Sequence, residues 1–192
     1  MSIKILGGVA RGFPLATPRT ETRPTSVIIK RKLFDWRQNL EGFHFIDVCA
    51  GSGAMAFEAL SRGADSIVAN DSQKSPFITI KNNKEGLIKA FKFDEKRIIV
   101  SNHDAKKWVE RELSYQMTET EDAIFYLDPP YADHALYRDI ISLLKTQQFQ
   151  GEVWVESDRL EGIPLAELTG LFHSIIKIVE QGDHFVVVGK LL

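Results

Sequence analysis

The hydrophobic pattern from residue 43 onward alternates between two kinds of segment. Short apolar runs predict strands at about 43–48, 66–69, 97–100, 123–127, 152–156, 173–179 and 184–191. Apolar residues at helical spacing predict helices at about 53–62, 73–90, 104–117, 134–146 and 164–169. Such alternation is typical of an α/β fold with a mainly parallel sheet covered on both faces. Only a short turn around Gly182 separates the last two strands, so they should form an antiparallel hairpin.

The first forty residues have a different pattern. Two short strands are predicted at 3–6 and 13–16, with glycines between them and prolines after them. A helix over about 26–40 would place four apolar side chains on one stripe, namely Ile29, Leu33, Trp36 and Leu40. The basic run at 30–32 lies off this stripe and is expected to face solvent or a partner.

Charge is unevenly divided between these two parts. The chain has a net charge of −2, but residues 1–40 contain eight Lys or Arg and two acidic residues. Their charge is therefore +6, which leaves −8 for residues 41–192. Such a segment could neutralise phosphates, which supplies the sequence-independent part of nucleic-acid affinity, although a solvated surface explains the clustering equally well. We predict a basic appendage over 1–40 and a main domain over 41–192, with candidate nucleic-acid contacts at Arg11, Arg23, Lys30 and Arg31.

Length and composition exclude several classes of protein. The 192 residues suffice for one full core, and 44% hydrophobic and 26% charged residues are ordinary for a globular domain. No apolar run approaches the roughly 20 residues of a membrane helix, so no membrane partner is expected. The single cysteine, Cys49, indicates a reducing cytoplasm and is interpreted as a small buried side chain rather than a catalytic thiol. The histidines lack metal-ligand spacing, so no metal site is predicted.

A glycine loop follows the first strand of the main domain. Glycines at 51 and 53 let the backbone turn tightly and approach a ligand closely. The Gly-x-Gly-x-x-Ala pattern also fits a dinucleotide site. The carboxylate of Asp47 instead favours a ligand with a cationic amino group, such as the methionine moiety of S-adenosylmethionine, because a pyrophosphate would gain nothing from it. The predicted cofactor-binding residues in this segment are Asp47, Ala50, Gly51, Ser52 and Gly53.

Two more carboxylates follow the next two strands. Asp71 lies 20 residues after Gly51, the offset at which an acidic residue reaches ribose hydroxyls. Asp104 could accept a hydrogen bond from an adenine amino group, or it could simply cap the following helix. Both interpretations of Asp104 stay open.

The segment Asp128-Pro129-Pro130-Tyr131 follows the fourth apolar run, where open α/β sheets bind ligands. An exocyclic amine on a base is a poor nucleophile, because its lone pair is delocalised into the ring. Acceptors at Asp128 and the Pro129 carbonyl would favour a pyramidal nitrogen with its lone pair aimed at a methyl donor. The prolines fix φ and remove backbone donors, and the Tyr131 ring could stack on an extruded base. The ring rather than its hydroxyl is therefore expected to matter.

These residues resemble a known group. The Asp-Pro-Pro-Tyr segment matches the motif of amino-methyltransferases, and its surroundings resemble the RsmD-type 16S ribosomal RNA guanine-N2 methyltransferases of bacteria. The similar segments span nearly the whole chain and lie at 5–12, 22–25, 33–36, 50–53, 58–62 and 155–157. The Arg-Pro-Thr stretch and the leading Gly-Gly hairpin are the more specific parts, because generic methyltransferases lack them.

The resemblance implies a Rossmann-like class I S-adenosylmethionine methyltransferase fold, with a seven-stranded, mainly parallel sheet and a final antiparallel strand. It further implies catalysis at residues 128–131 and rRNA contacts through the N-terminal appendage, on an assembled or assembling small ribosomal subunit. A monomer is expected. One position departs from the family, which usually has Glu where this chain has Ala69, so ribose binding would pass to Asn70 or Asp71.

Other functions share parts of this pattern. An amino-methyltransferase of another RNA or DNA base would share the catalytic segment, although DNA enzymes normally need a sizeable target-recognition region. A nicotinamide oxidoreductase would share only the glycine loop. A non-catalytic RNA-binding or ribosome-assembly module would need only the basic appendage.

Overall fold

The computed structural model describes residues 2–18, 27–113 and 121–192. Its strands are β1 (Ser2–Lys4), β2 (Pro14–Ala16), β3 (His44–Asp47), β4 (Ser66–Asn70), β5 (Ile98–Ser101), β6 (Ala123–Leu127), β7 (Glu152–Asp158), β8 (Ser174–Gln181) and β9 (His184–Lys190). Its helices are α1 (Val27–Trp36), α2 (Ala54–Ser61), α3 (Lys74–Phe91), α4 (Ala105–Trp108), α5 (His134–Thr146) and α6 (Leu165–Gly170). A 3-10 turn (Glu95–Arg97) precedes β5, and a π-helical turn (Val109–Leu113) continues α4.

Seven strands form one sheet in the order β5-β4-β3-β6-β7-β9-β8, and β1 pairs with β2 in a separate hairpin. The strands from β5 to β7 are parallel, and β9 runs antiparallel to both of its neighbours. The predicted fold is thus confirmed, including the hairpin of β8 and β9. Parallel strands end at one edge of a sheet, here called the carboxyl edge. Segments that follow β3, β4, β5 and β6 therefore meet there.

Alternation along the central strands gives the sheet an apolar side chain on each face. In β3, Phe45 packs into the core beneath the hairpin and helices α1 to α3, whereas Ile46 packs beneath α4 to α6. In β7, Trp154 and Val155 divide in the same way. Both faces are buried, which explains why these strands read as continuous apolar runs.

A buried carboxylate fastens the N-terminal hairpin to α2. Glu58 is fully buried and accepts the backbone N–H groups of Leu6 and Gly7 at 2.7 and 2.8 Å. Its carboxylate also pairs with Arg62 at 2.8 Å and with Lys30 at 3.5 Å. The described residues of 1–40 share one core cluster with α2 and α3, so they are docked on the main domain rather than held apart from it.

The interpretation of Lys30 as a solvent-facing side chain is wrong. Lys30 is only 1% exposed, and besides its pairing with Glu58 its Nζ donates to the Lys4 carbonyl at 3.4 Å. Burial lowers its pKa, and Glu58 opposes that shift. The buried face of α1 is therefore wider than its apolar residues indicate. A cation can be buried there because a carboxylate from a distant part of the chain lies opposite it.

Two helices differ in extent from their predictions. The first ends at Trp36 rather than near residue 40, so Leu40 is buried from a loop. The helix predicted at 104–117 is a single α-helical turn followed by the π-helical turn, and residues 114–120 lie outside the described part. The seven predicted strands and the other four predicted helices of the main domain agree within two residues at each end.

Candidate active site

The predicted carboxylates converge at the carboxyl edge. Burial raises the pKa of the Cys49 thiol well above its ordinary value, and four carboxylates act on it in the same direction: Asp47, Asp128, Asp71 and Asp104. Asp47 ends β3, and the other three carboxylates follow β4, β5 and β6, so the sheet brings all four together. Cys49 is half-buried, and its thiol is kept protonated, which agrees with a non-catalytic role.

The glycine loop between β3 and α2 is a tight turn with one open side. Gly51 and Gly53 have φ values of +55° and +78°, which favour glycine. The Gly53 N–H donates to the Ala50 carbonyl at 2.6 Å, and the Ala50 N–H donates to the Asn70 carbonyl at 2.9 Å. A Cβ at Gly51 would meet no protein atom within 4 Å, whereas one at Gly53 would lie 2.6 Å from Phe57. The loop therefore leaves room for a ligand beside Gly51.

Asp71 shapes this loop from the end of β4. Its Oδ2 accepts the Gly51 N–H at 2.9 Å, and its Oδ1 accepts the Gln73 N–H at 2.9 Å. Burial raises the pKa of Asp71, and the two backbone N–H groups oppose this shift. Each carboxylate oxygen has further acceptor capacity, so a ribose contact stays a prediction alongside the observed role in the loop.

Asn70 does not have the geometry of a ribose ligand. Its side chain is fully buried, and its Nδ2 donates to the carbonyls of Val48 and His103 at 3.0 and 2.9 Å. Its Oδ1 accepts the Ser101 hydroxyl and the His103 N–H. Because these four hydrogen bonds use the whole amide, Asn70 connects strand ends, and the predicted ribose role of Asn70 is corrected.

Asp47 is a buried carboxylate with little compensation from the protein. It is 1% exposed and accepts the Cys49 N–H at 3.3 Å. Burial raises its pKa well above the ordinary value, and the charges of Asp71 and Glu156 act in the same direction. Together with the open side of Gly51, this acidic environment fits a cofactor that has a cationic amino group.

Asp104 has an observed structural role. It is exposed, and its side chain accepts the Lys107 N–H at 3.1 Å as the N-cap of α4. The capping interpretation is therefore confirmed, and an adenine contact stays a prediction. Ser52 is mostly buried, and its carbonyl accepts a hydrogen bond from Asn83 at 3.0 Å.

The segment from Asp128 to Tyr131 leaves the end of β6 beside the glycine loop. Asp128 is half-buried, Pro129 is buried, and Pro130 is exposed, with its carbonyl accepting the Asp133 N–H at 2.8 Å. Tyr131 is half-buried, and its hydroxyl donates to Glu156 at 3.1 Å. The hydroxyl is thus engaged inside the protein, whereas the sequence suggested a role for the ring alone.

Two residues at this site were missed from the sequence. Glu156 is fully buried in β7, and its Oε2 accepts the Tyr126 hydroxyl at 2.5 Å. Burial raises the pKa of Glu156 to about 7, and the hydroxyls of Tyr126 and Tyr131 oppose this shift. His184 begins β9 and lies 3.1 Å from the Tyr131 hydroxyl through Nδ1. The available signal was the acidic Glu156 directly after the apolar residues 153–155 of β7, one position beyond Val155, which pairs with Leu127.

The candidate nucleic-acid contacts have different surroundings. Arg11, in the hairpin turn, and Arg31, on α1, are both exposed. Lys30 is buried, and Arg23 lies outside the described residues. Among the described residues, no cluster of His, Cys, Asp and Glu has metal-binding geometry, and no helix is long and apolar enough to cross a membrane.

The strand order, with one reversed strand beside the edge, is the fold of Rossmann-like class I methyltransferases. The chain belongs to the family described as Conserved hypothetical protein 95, whose model matches residues 3–174. Ribosomal RNA small subunit methyltransferase D of Buchnera aphidicola (strain APS) is 29% identical over 168 residues, which cover 84% of this chain and 81% of the relative. The protein of the same name from Escherichia coli K12 is 27% identical over 177 residues, covering 89% and 82%. A solved structure, "Putative methyltransferase yhhF from Escherichia coli", superposes with a TM-score of 0.75 at 24% identity, covering 98% and 97%.

Replacing Gly51 with alanine tests the open side of the loop. Gly51→Ala should lower S-adenosylmethionine affinity more than tenfold, because the new methyl group and a shifted backbone would occupy ligand space. Strain from the positive φ should cost about 1–2 kcal/mol of stability. Gly182→Ala is the matched control, because Gly182 has φ +59° and equally open surroundings in the turn between β8 and β9. Calorimetric titration should show normal affinity in the control, and equal losses in both variants would contradict the assignment.

Proposed function

We propose that this chain is an S-adenosylmethionine-dependent methyltransferase of the exocyclic N2 of a guanine in small-subunit ribosomal RNA. The observation that carries the proposal is the Asp-Pro-Pro-Tyr segment at the carboxyl end of β6, beside the glycine loop that follows β3. The names of the two relatives support rRNA of the small subunit as substrate.

Bound S-adenosylmethionine would supply a methyl group on a sulfonium, which is already an excellent leaving group. The chain's own task is then to position the acceptor amine. Asp128 and the Pro129 carbonyl accept the two N–H bonds of the amine and favour a pyramidal nitrogen. Tyr131 stacks against the extruded base. Asp47, Gly51 and Asp71 form the cofactor side of the site, with Asp104 as a candidate for the adenine.

The basic face of the molecule is the proposed RNA-binding surface. Arg11 and Arg31 project from the hairpin and α1, and α3 packs beside the hairpin through Phe13 and Phe91, whose ring centroids are 5.6 Å apart. Helix α3 contributes four lysines against one acidic residue, at 74, 81, 84 and 89 against Glu85. The basic character of the appendage thus continues onto a neighbouring helix of the otherwise acidic domain.

The direct test uses small ribosomal subunits from a strain that lacks this gene. The purified protein, as a monomer, should transfer the labelled methyl group from S-adenosylmethionine to these particles. Nucleoside mass spectrometry should identify the product as N2-methylguanosine. A methylated adenine or cytosine would replace the guanine assignment with another amino-methyltransferase. Particle binding without any transfer would support an assembly module instead.

The RNA surface should reveal itself in the salt dependence of particle binding. Arg11→Gln combined with Arg31→Gln should weaken binding and reduce its logarithmic salt slope by up to about 0.9 per lost phosphate contact. Cofactor affinity should not change. Lys107→Gln is the matched control, because Lys107 is exposed on α4, which covers the opposite face of the sheet. If the salt slope of particle binding is the same in all variants, these arginines do not contact the RNA.

A further inference from the structure

Tyr131 is held at its hydroxyl by two residues that no sequence motif assigns. The hydroxyl lies 3.1 Å from Glu156 Oε1 and 3.1 Å from His184 Nδ1, and the rings of Tyr131 and His184 have centroids 5.8 Å apart. Glu156 comes from β7 and His184 from the start of β9. Three separate parts of the chain thus meet at a single oxygen atom.

Glu156 is itself rigidly placed. It is fully buried, and its second carboxylate oxygen accepts the Tyr126 hydroxyl at 2.5 Å. Its backbone carbonyl accepts the Tyr137 hydroxyl from α5 at 3.0 Å. Because β7 is paired on both sides and this side chain is fully buried, the carboxylate cannot follow a moving tyrosine, so it fixes where the Tyr131 hydroxyl can lie.

His184 reaches the site because β9 is reversed. Its antiparallel pairing with β7 aligns His184 with Asp158, so β9 begins at the carboxyl edge where β7 ends. A parallel strand in this place would bring its last residue there instead. Burial raises the pKa of Tyr131, with the charges of Asp128 and Glu156 acting in the same direction, so the phenol keeps its proton.

We propose that Glu156 and His184 are positioning residues that hold Tyr131 in the orientation that receives the target base. The single phenolic proton of Tyr131 is donated to Glu156, and His184 donates its Nδ1–H to the phenolic oxygen. This arrangement fixes both side-chain torsions of a tyrosine that is only half-buried. The proposal rests on the proposed methyl transfer for its kinetic consequence, but the hydrogen-bonded chain itself does not depend on it.

The kinetic test is a double-mutant cycle on methylation of deficient small subunits. Tyr131→Phe and Glu156→Gln should each lower kcat about tenfold while S-adenosylmethionine affinity stays within twofold. The double variant should be no slower than either single variant, because both changes break the same chain. Tyr126→Phe is the matched control, because it removes the other hydroxyl on Glu156 and leaves Tyr131 held. It should lower thermal stability and keep kcat.

A second measurement does not require activity. Nitrogen-15 NMR of His184 should show the Nδ1–H tautomer in the wild type and a change of tautomer population in Tyr131→Phe. Multiplicative kinetic losses in the double variant, an equal loss of kcat in Tyr126→Phe, or an unchanged His184 signal would each overturn the proposal. If the wild type transferred no methyl group, the proposed function would fail. The His184 signal would then still test the hydrogen bonds that join Glu156, Tyr131 and His184.

Discussion

Asp128→Ala should lower methyl transfer at least about a thousandfold, which corresponds to about 4 kcal/mol of lost transition-state stabilisation. The reason is that the alanine removes a charged acceptor from the amine at the step where its lone pair must become available. Affinity for S-adenosylmethionine should stay within a few fold, because the proposed cofactor residues lie on the glycine loop and after β4. Single-turnover methylation together with cofactor titration separates the two effects.

The controls for this variant come from the same region of the chain. Asp128→Asn keeps an acceptor oxygen and should retain part of the activity. Asp133→Ala removes the N-cap of α5, which accepts the Leu136 N–H at 3.1 Å, and should cost about 1 kcal/mol of stability without loss of turnover. Near-normal turnover of Asp128→Ala would exclude the proposed role of the carboxylate.

Glu58→Ala should destabilise the folded protein by about 3–5 kcal/mol, the range for breaking a buried ion pair from one side. The variant leaves the backbone N–H groups of Leu6 and Gly7 without their acceptor, and it leaves buried Lys30 without its carboxylate. Natural domains are stable by only about 5–15 kcal/mol, so the loss should be large in urea unfolding.

A matched control and a compensating change refine this prediction. Glu85→Ala removes an exposed carboxylate from α3 and should leave the free energy of unfolding within about 0.5 kcal/mol. Lys30→Met combined with Glu58→Gln should be more stable than Glu58→Gln alone, because no buried lysine then lacks a counter-charge. A double variant that is less stable than the single one would contradict the assigned pairing.

Much of the fold could be predicted because its signals are local. Strands β3, β4, β6 and β7 are buried on both faces and therefore contain short apolar runs. The turn at Gly182 separates β8 from β9 at a position that the sequence marks. The Asp-Pro-Pro-Tyr segment and the glycine loop could be found for the same reason. Each is a short motif at a strand end.

The errors arose where a side chain depends on partners far along the chain. The sequence alone indicates a surface cation at Lys30, but in the structure Glu58 lies opposite it. The sequence likewise indicates a ligand at Asn70, but Ser101 and His103 donate hydrogen bonds to its side-chain amide. Glu156 and His184 belong to strands whose reversed pairing brings them to Tyr131. Local patterns carry no information on such distant contacts, so these roles required the structure.

The side chain of Asn83 links the local unfolding of the N-terminal hairpin to that of the glycine loop. Its side-chain amide holds Ala16 through both the N–H and the carbonyl, at 2.8 and 3.0 Å, and it also holds the Ser52 carbonyl at 3.0 Å. The Ala16 amide can exchange its hydrogen for deuterium only when its bond to Asn83 Oδ1 breaks, and an Asn83 side chain that leaves this position also gives up the Ser52 carbonyl of the glycine loop. Hairpin and loop should therefore exchange as one cooperative unit. A ligand that immobilises the loop should slow hydrogen exchange at Ala16. Because coupling between two binding events is reciprocal, a partner that binds the hairpin should raise the affinity for that ligand.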